Sequence, residues 1–282
     1  MFVLGLAAWL VSLPLLAATS VTTQVYDIDY GKGNQETLVL LNSGQVAKVP
    51  STKSDILGRL TQKNSLNQTF TFTLDDDRYI IGLNEADAPV MTPIEPSEVS
   101  SQKNTFIPTT VESMAVLKRY FSQARYNPKD SQCFNRAMVW SYEWWRNHSL
   151  KSNKVLIFFT RTYIRRYNFE WWFHIAPYVH VMDQGKVVER VLDVKYSSGP
   201  RTFKQWTDIF MNKDPECPII QKFSEYADNP YTGDCYLIRT HMYTYQPADL
   251  QMYEAWGYEK NNFLMNEVRG AYLEAYDEVL SK

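Results

Sequence analysis

The sequence predicts an α+β protein with two folded parts joined by a linker. The chain has 282 residues, 45% of them hydrophobic, which is enough to bury a substantial core. Short apolar runs with the two-residue period of strands alternate with segments of helical period. Residues 87–108 contain four prolines among Ser, Thr, Glu and Asn, a composition that resists packing. We therefore predict a domain on each side of this linker.

The N-terminus has the features of an export signal. Residues 2–16 are largely apolar, and Ala17-Ala18 supplies the small side chains that signal peptidases prefer. We predict a signal peptide over residues 1–18 and a mature protein that is secreted or periplasmic, where disulfides persist. No other run approaches the roughly 18 apolar residues of a membrane-spanning helix.

Residues 19–86 are predicted to form a small α+β unit. Apolar residues alternate at Phe70, Phe72 and Leu74, and the turn Asp75-Asp76-Asp77 follows them. The remaining elements are an amphipathic helix through Ile56, Leu57 and Leu60 and strands at Leu38–Leu41 and Tyr79–Leu83.

Residues 109–282 are predicted to form a second α+β domain. Thr109 and Glu112 fit a capping box ahead of a helix, and a second helix starts near Ser131. The remaining predicted elements are strands at about 154–163, 170–182, 187–194 and 234–245, a short helix at 203–210, and a C-terminal helix at 261–280.

Charge and motif content exclude several classes of function. The formal net charge is -2, so the chain lacks the basic field that nucleic-acid binding needs. No serine lies in a Gly-x-Ser-x-Gly elbow. His174 and His180 share a strand face but lie about 20 Å apart along it, too far to bind one ion. We expect no metal and no cofactor.

Cys133 is one of three cysteines, and it falls near the start of the second predicted helix. With Asp130 or Ser131 as the helix cap, its side chain lies in the first turn, where unpaired N–H groups and the helix dipole favour a thiolate. A thiolate is the form a nucleophilic cysteine requires. A buried structural thiol is the alternative interpretation of the position alone.

His174 and Asp193 are predicted to meet on neighbouring strands. The loop Asp183–Lys186 pairs Met182 with Val187, so the numbers of paired residues sum to 369. In that register His174 lies opposite Lys195, and Asp193 is its diagonal neighbour on the same face. A one-residue slip, which Pro177 would favour because it cannot donate to the ladder, would turn Asp193 to the other face.

A thiolate, an imidazole and a carboxylate are the groups that acyl transfer through a thioester requires. The sulfur attacks a carbonyl, the imidazole carries the proton to the leaving amine, and the acid fixes the tautomer and orientation of the ring.

The residues around these three groups resemble the bacterial protein-glutaminases, also called protein-glutamine deamidases. The resemblance rests on Cys133-Phe134-Asn135-Arg136-Ala137, on Trp171–Ala176, and on Val191-Leu192-Asp193 followed by Ser197–Pro200 and Trp206. It covers residues 109 to about 245 and, more faintly, the stretch from Ile56 to Leu83, which is similar to part of the family's pro-region.

The resemblance implies a papain- or transglutaminase-like catalytic domain over residues 109–282, with a C-terminal helical extension. It implies that a nucleophile helix packs on an antiparallel sheet and that residues 19–86 are a pro-domain covering the active site until it is cut away. Cys133 then matches the nucleophile, His174 the general acid/base and Asp193 the orienting acid. Trp171, Trp172 and Ser198 are the expected substrate-binding residues, with a place in the core as the alternative for Trp171. Cys217 and Cys235 would form a disulfide and leave Cys133 free.

The function that the resemblance implies is hydrolysis of glutamine side-chain amides in proteins, with release of ammonia. The expected partners are protein substrates with exposed glutamine and an activating protease, and the expected state is a monomer that binds no nucleic acid. Transglutaminase-like acyl transfer and peptide-bond cleavage are alternatives with the same thioester. A catalytically inactive envelope binding protein with the same fold is the alternative from another class.

Overall fold

The computed structural model of the chain forms two compact units. It describes residues 18–33, 35–50, 52–62, 68–87, 107–124, 131–212, 216–256, 275, 276 and 279. The predicted signal peptide before residue 18 and the linker between residues 88 and 106 therefore lie outside the described residues. None of the helices in the described part of the chain has the length and hydrophobicity needed to cross a membrane.

The first unit, residues 18–39 and 47–87, is built on a five-stranded sheet in the order β3-β2-β1-β4-β5. Strand β4 pairs antiparallel with both β1 and β5. Its elements are β1 (Thr19–Asp29), β2 (Thr37–Leu41), β3 (Val46–Val49), helix α1 (Ser54–Leu60), β4 (Thr69–Leu74) and β5 (Ile80–Ala86).

The predicted alternation on β4 is confirmed. Phe70, Phe72 and Leu74 are buried, whereas the threonines between them are partly exposed. Because successive strand side chains point to opposite faces, this pattern places one face of the sheet on the core. Ile56 and Leu60 of α1 are also buried.

The second unit comprises residues 40–46 and the described residues from 107 onward. Its elements are β6 (Thr110–Val111), α2 (Met114–Gln123), α3 (Cys133–His148), β7 (Asn153–Phe159), α4 (Arg161–Tyr167), β8 (Phe173–Asp183), β9 (Lys186–Val191), α5 (Phe203–Thr207), β10 (Ile219–Ile220), α6 (Phe223–Ala227), β11 (Cys235–Thr240) and α7 (Pro247–Trp256).

The central sheet of this unit runs β10-β11-β7-β8-β6, with β9 paired to β8. Strands β11, β7, β8 and β9 are antiparallel neighbours in that order. The two-residue strands are parallel to their partners: β6 pairs with β8, and β10 pairs with β11. Helix α3 packs against β8, and Phe134 stacks on Phe173 at 6.4 Å between ring centroids. The predicted α+β class, with a helix packed on a mainly antiparallel sheet, is confirmed.

Two predictions between residues 109 and 163 are wrong: the cap of helix α2 and the C-terminal end of strand β7. Helix α2 is capped by Ser113, whose Oγ accepts the Val116 N–H, whereas the Thr109 Oγ accepts the Lys151 N–H. Strand β7 ends at Phe159 because Thr160 caps helix α4 by accepting the Tyr163 N–H.

The C-terminal part differs from the predicted long strand over 234–245. Strand β11 ends at Thr240, and helix α7 follows, where Asp249 Oδ2 accepts the N–H groups of Tyr245 and Gln246. Most of the predicted helix at 261–280 lies outside the described residues. Ala275 and Val279, one helical turn apart, are buried against Met138 and Val139 of α3.

Candidate active site

Cys133 is the first residue of α3, and its thiol is free and half-buried. The N-cap is Gln132, without a side-chain capping bond, so the predicted cap at Ser131 is wrong and Asp130 lies outside the described residues. Because the first N–H groups of a helix have no intrahelical partner, the sulfur lies at the positive end of α3.

His174 lies on β8, opposite Ile157 of β7, and contacts both other residues of the predicted trio. Its Nε2 is 2.6 Å from Asp193 Oδ2, and both side chains are at most 2% exposed. The Cys133 side chain is close enough to the same imidazole to raise its pKa. Since the carboxylate takes Nε2, Nδ1 is the ring nitrogen that remains for a second partner. The structure thus brings Cys133, His174 and Asp193 together.

The register of β8 and β9 explains how Asp193 reaches His174. Every pair from Tyr178↔Val191 to Asp183↔Lys186 sums to 369, as the turn predicts. The Leu192 N–H still bonds to the Pro177 carbonyl, but the reciprocal bond is lost because proline has no N–H. The ladder therefore stops at Val191 without slipping, and the predicted pairing of His174 with Lys195 does not form.

Asp193 is held by more than the imidazole. The Trp206 indole N–H, on the fully buried side of α5, donates to Oδ2 at 3.0 Å. The other oxygen, Oδ1, is buried and has no hydrogen-bond partner among the described residues. One carboxylate oxygen thus receives two donors, which fixes its position relative to His174.

The electrostatics of the trio favour a charged pair. Burial opposes a charged imidazole, but the Asp193 carboxylate and the contact with Cys133 raise the pKa of His174 to about 9. Burial also opposes a charged Asp193, yet His174, the Trp206 N–H and Arg136 hold the pKa of this carboxyl below its ordinary value. His174 is therefore an imidazolium and Asp193 a carboxylate at neutral pH.

Aromatic rings enclose the imidazole. Trp171 stacks on His174 at 5.6 Å, and Tyr196 meets it edge to face at 5.2 Å. Phe210 and Trp206 lie 4.7 and 5.7 Å from the same ring. Trp171 and Tyr196 are only partly buried, so they border the site on its accessible side.

The other expected substrate-binding residues lie in different surroundings. Trp172 is fully buried and donates its indole N–H to the Leu41 carbonyl at 2.8 Å, so it offers no surface to a substrate in this state. Ser198 is exposed and accepts a hydrogen bond from Arg201. Cys217 and Cys235 form the disulfide, and Cys133 stays outside it.

A short loop, residues 40–46, contacts the strand segment beside Trp171. The Val46 N–H donates to the Glu170 carbonyl at 2.8 Å, and the Trp172 N–H donates to the Gly44 carbonyl at 2.9 Å. Gln45 forms an antiparallel bridge with Trp171. The loop therefore pairs its backbone with the segment that carries Trp171, the residue that stacks on His174. The sequence indicated only a turn at Asn42–Gly44.

Sequence reasoning also assigned no role to Arg136 and Tyr196. Arg136 lies one helical turn after Cys133 and is 2% exposed, and Tyr196 lies three residues after Asp193. The available signal was position alone: an arginine at i+3 from the cysteine shares its helix face.

Comparisons with known proteins match the central part of this unit to one family. Residues 109–210 match the model of a family described as glutaminase. This agrees with the resemblance seen in the sequence motifs. No curated protein matches the sequence significantly.

Solved structures that resemble the chain include a pro-protein-glutaminase, at 18% identity over 82% of this chain and 84% of that one, with a TM-score of 0.48. The A47Q2 mutant of pro-protein-glutaminase is similar at 19% identity over 80% and 83%, with a TM-score of 0.49. Protein-glutaminase from Chryseobacterium proteolyticum is similar at 17% identity over 48% and 75%, with a TM-score of 0.33.

Proposed function

We propose, from the match of residues 109–210 to a family described as glutaminase, that this chain is a secreted protein-glutamine deamidase made as a precursor. The observation that carries the proposal is the buried His174–Asp193 pair beside a half-buried free cysteine at a helix start. All three residues fall inside the matched segment.

Acylation begins with Cys133 Sγ attacking the side-chain carbonyl carbon of a glutamine. The C–N bond breaks, and His174 delivers its proton to the departing nitrogen, so ammonia leaves and a thioester forms on the sulfur. The Cys133 backbone N–H, at the start of α3, is placed to stabilise the oxyanion. Asp193 keeps Nδ1 of the imidazole directed at the sulfur.

Deacylation returns the enzyme to its starting state. His174, now neutral, removes a proton from water, and the resulting hydroxide attacks the thioester carbonyl. The C–S bond breaks, glutamate is released, and the sulfur and imidazole again share the proton. Amide nitrogen leaves as ammonia and water supplies the oxygen, so atoms balance without a cofactor.

The precursor part of the proposal rests on the loop at residues 40–46. Its backbone bonds to Glu170 and Trp172 take up main-chain groups beside Trp171, where a substrate backbone would otherwise pair. We propose that residues 19–86 are an inhibitory pro-domain, that cleavage falls in the Pro-rich linker, and that an extracellular protease performs it. The disulfide is consistent with an exported protein.

The test measures ammonia released from a glutamine-rich protein by linker-cleaved enzyme. Cys133→Ala and His174→Gln are each expected to lower the rate at least about 1000-fold, because both groups act in every step. His180→Gln is the matched control, since His180 lies on the same strand and is partly exposed, with its Nε2 4.0 Å from Glu189 Oε1.

Four outcomes would overturn the proposal. Ammonia release that survives Cys133→Ala removes the mechanism, and linkage of an added primary amine to glutamine favours a transglutaminase. Cleavage of the substrate backbone favours a peptidase. Absence of all three reactions in cleaved, folded protein favours the inactive binding protein.

A further inference from the structure

Arg136 is a buried cation beside the active site that the reaction steps above do not use. It lies in the first turn of α3 and donates from Nη1 to the Ser131 carbonyl, with Ser131 Oγ at 3.4 Å. Its guanidinium carbon lies 5.7 Å from the centre of the Tyr196 ring. That ring, in turn, meets His174 edge to face.

No carboxylate among the described residues lies within ion-pair distance of Arg136, and its Nε has no hydrogen-bond partner there. A buried charge is costly unless an opposite charge compensates it. The Tyr196 ring face contributes a cation–π contact, which is worth about 2 kcal/mol when desolvated. That contact is too small to offset the burial of a whole charge, so a compensating anion must lie close by.

The catalytic trio supplies that anion. In the form that attacks the substrate in the proposed reaction, with a Cys133 thiolate, a His174 imidazolium and an Asp193 carboxylate, the trio carries one net negative charge. Arg136 lowers the pKa of Asp193 and opposes the burial that raises the pKa of Tyr196 to about 12, so its field reaches both side chains. Counting Arg136, the buried cluster is neutral.

We infer that Arg136 is a positioning residue: its positive charge keeps Asp193 ionised and thereby keeps the Cys133–His174 pair in its charged, reactive form. This rests on the proposed function, because only a nucleophilic cysteine needs that form. The alternative is a purely structural role, in which Arg136 only ties the start of α3 to Ser131.

The ionisable groups that face Asp193 come from each neighbouring element. They are His174 from β8, Cys133 and Arg136 from α3, and Tyr196 from the turn after β9; α5 contributes the Trp206 indole, which does not titrate. Glu170 acts on Tyr196 rather than directly on Asp193. Lys195 lies over the Tyr196 ring, with its Nζ 5.6 Å from the ring centre, and Arg136 is the cation besides His174 whose field lowers the pKa of Asp193.

The test separates charge from hydrogen bonding. Arg136→Gln keeps a donor for the Ser131 carbonyl without the charge, and Arg136→Lys keeps the charge without the planar fork. The readout is the rate at which iodoacetamide alkylates Cys133 in the full-length chain between pH 4 and pH 9, followed by mass spectrometry. This readout needs no glutamine substrate, so it reports on Arg136 even if deamidation fails.

The acid limb of the profile is the range in which the alkylation rate rises with pH. In Arg136→Gln we expect this limb to move up by about 1 pH unit, because loss of a nearby opposite charge raises the pKa of a carboxyl, here Asp193, by about that much or more. In Arg136→Lys the limb should move by less than half of this. In the Asp193→Asn background, Arg136→Gln should cause no further shift. Arg136→Met is the second neutral variant if Gln does not fold.

Equal profiles for wild type and a folded, neutral variant at position 136 would overturn the inference. So would equal shifts in the Gln and Lys variants, because a purely structural role predicts that pattern. A shift that persists in the Asp193→Asn background would assign the effect to another group and would also contradict it.

Discussion

At the residue scale, the position of Asp193 decides what the site can do. Its Oδ2 receives both the His174 and the Trp206 donors, and the pair is almost fully buried. Removal of one partner of a buried ion pair strongly destabilises a protein, because the other charge is left uncompensated. We therefore expect Asp193 to affect both the proposed reaction and the stability of the fold.

The Asp193 carboxylate should make stability depend on pH on the alkaline side. The pKa of His174 is about 9 in the folded chain and 6.5 in the unfolded reference, so the imidazolium stabilises the fold fully below pH 6.5. That contribution should disappear as pH rises through 9, a loss of up to about 3 kcal/mol.

The measurement is the free energy of unfolding in urea from pH 6 to pH 9.5, for wild type and Asp193→Asn. The amide removes the charge that raises the pKa of His174, so the alkaline loss should largely vanish in the variant. Parallel pH curves for the two proteins would contradict the assignment.

The proximity of the three residues proposed to be catalytic could be predicted at this scale, whereas their surroundings could not. Cys133, His174 and Asp193 carry reactive groups at positions that local rules interpret. The burial of Trp172 depends on Leu41, 131 residues earlier in the chain, and the approach of Arg136 to Tyr196 depends on the turn after β9. Contacts of that kind arise from tertiary packing and leave no local signal.

At the element scale, hairpin register was predictable because turn chemistry is local. Gln184 and Gly185 both have positive φ, at 49° and 76°, as a two-residue type I′ turn requires. That turn fixes all later pairs of β8 and β9. The start of α4 was missed because Phe158 and Phe159 continue a strand-like apolar run, and only the Thr160 cap ends it.

The disulfide should stabilise the elements between its two cysteines. It closes a separation of 18 residues that contains β10 and α6. Chain-entropy estimates for a loop of this size give about 3 kcal/mol. We expect Cys217→Ser/Cys235→Ser to lower the free energy of unfolding by about 2 to 3 kcal/mol, measured in urea.

Thr232→Ser is the control, since Thr232 is exposed and lies within the same disulfide loop. It should change the stability by less than about 1 kcal/mol. An equal loss in both proteins would mean that the disulfide itself contributes nothing.

At the scale of the whole molecule, the inhibition proposed for the precursor depends on the loop at residues 40–46. Gly44 has φ of +89°, and a Cβ there would approach Phe173 Cε1 at 3.2 Å. A side chain at this position would therefore be strained twice, by the backbone and by the ring.

We expect Gly44→Ala to loosen this loop in the uncut chain and to speed iodoacetamide alkylation of Cys133 about 5-fold or more, since a left-handed conformation costs an L-residue about 1 to 2 kcal/mol. Gly185→Ala is the matched control, because Gly185 also has positive φ but has open space around it. An unchanged alkylation rate in folded Gly44→Ala would show that this loop takes no part in the inhibition.

The hairpin of β8 and β9 has a practical consequence for engineering. Its tip at Gln184 and Gly185 is about 30 Å along the strand from His174. Because this turn sets the register that brings Asp193 to His174, a graft at the tip needs a rigid module whose two ends reproduce the two-residue turn. A small recognition module attached there would recruit a chosen client protein while leaving the catalytic chemistry alone.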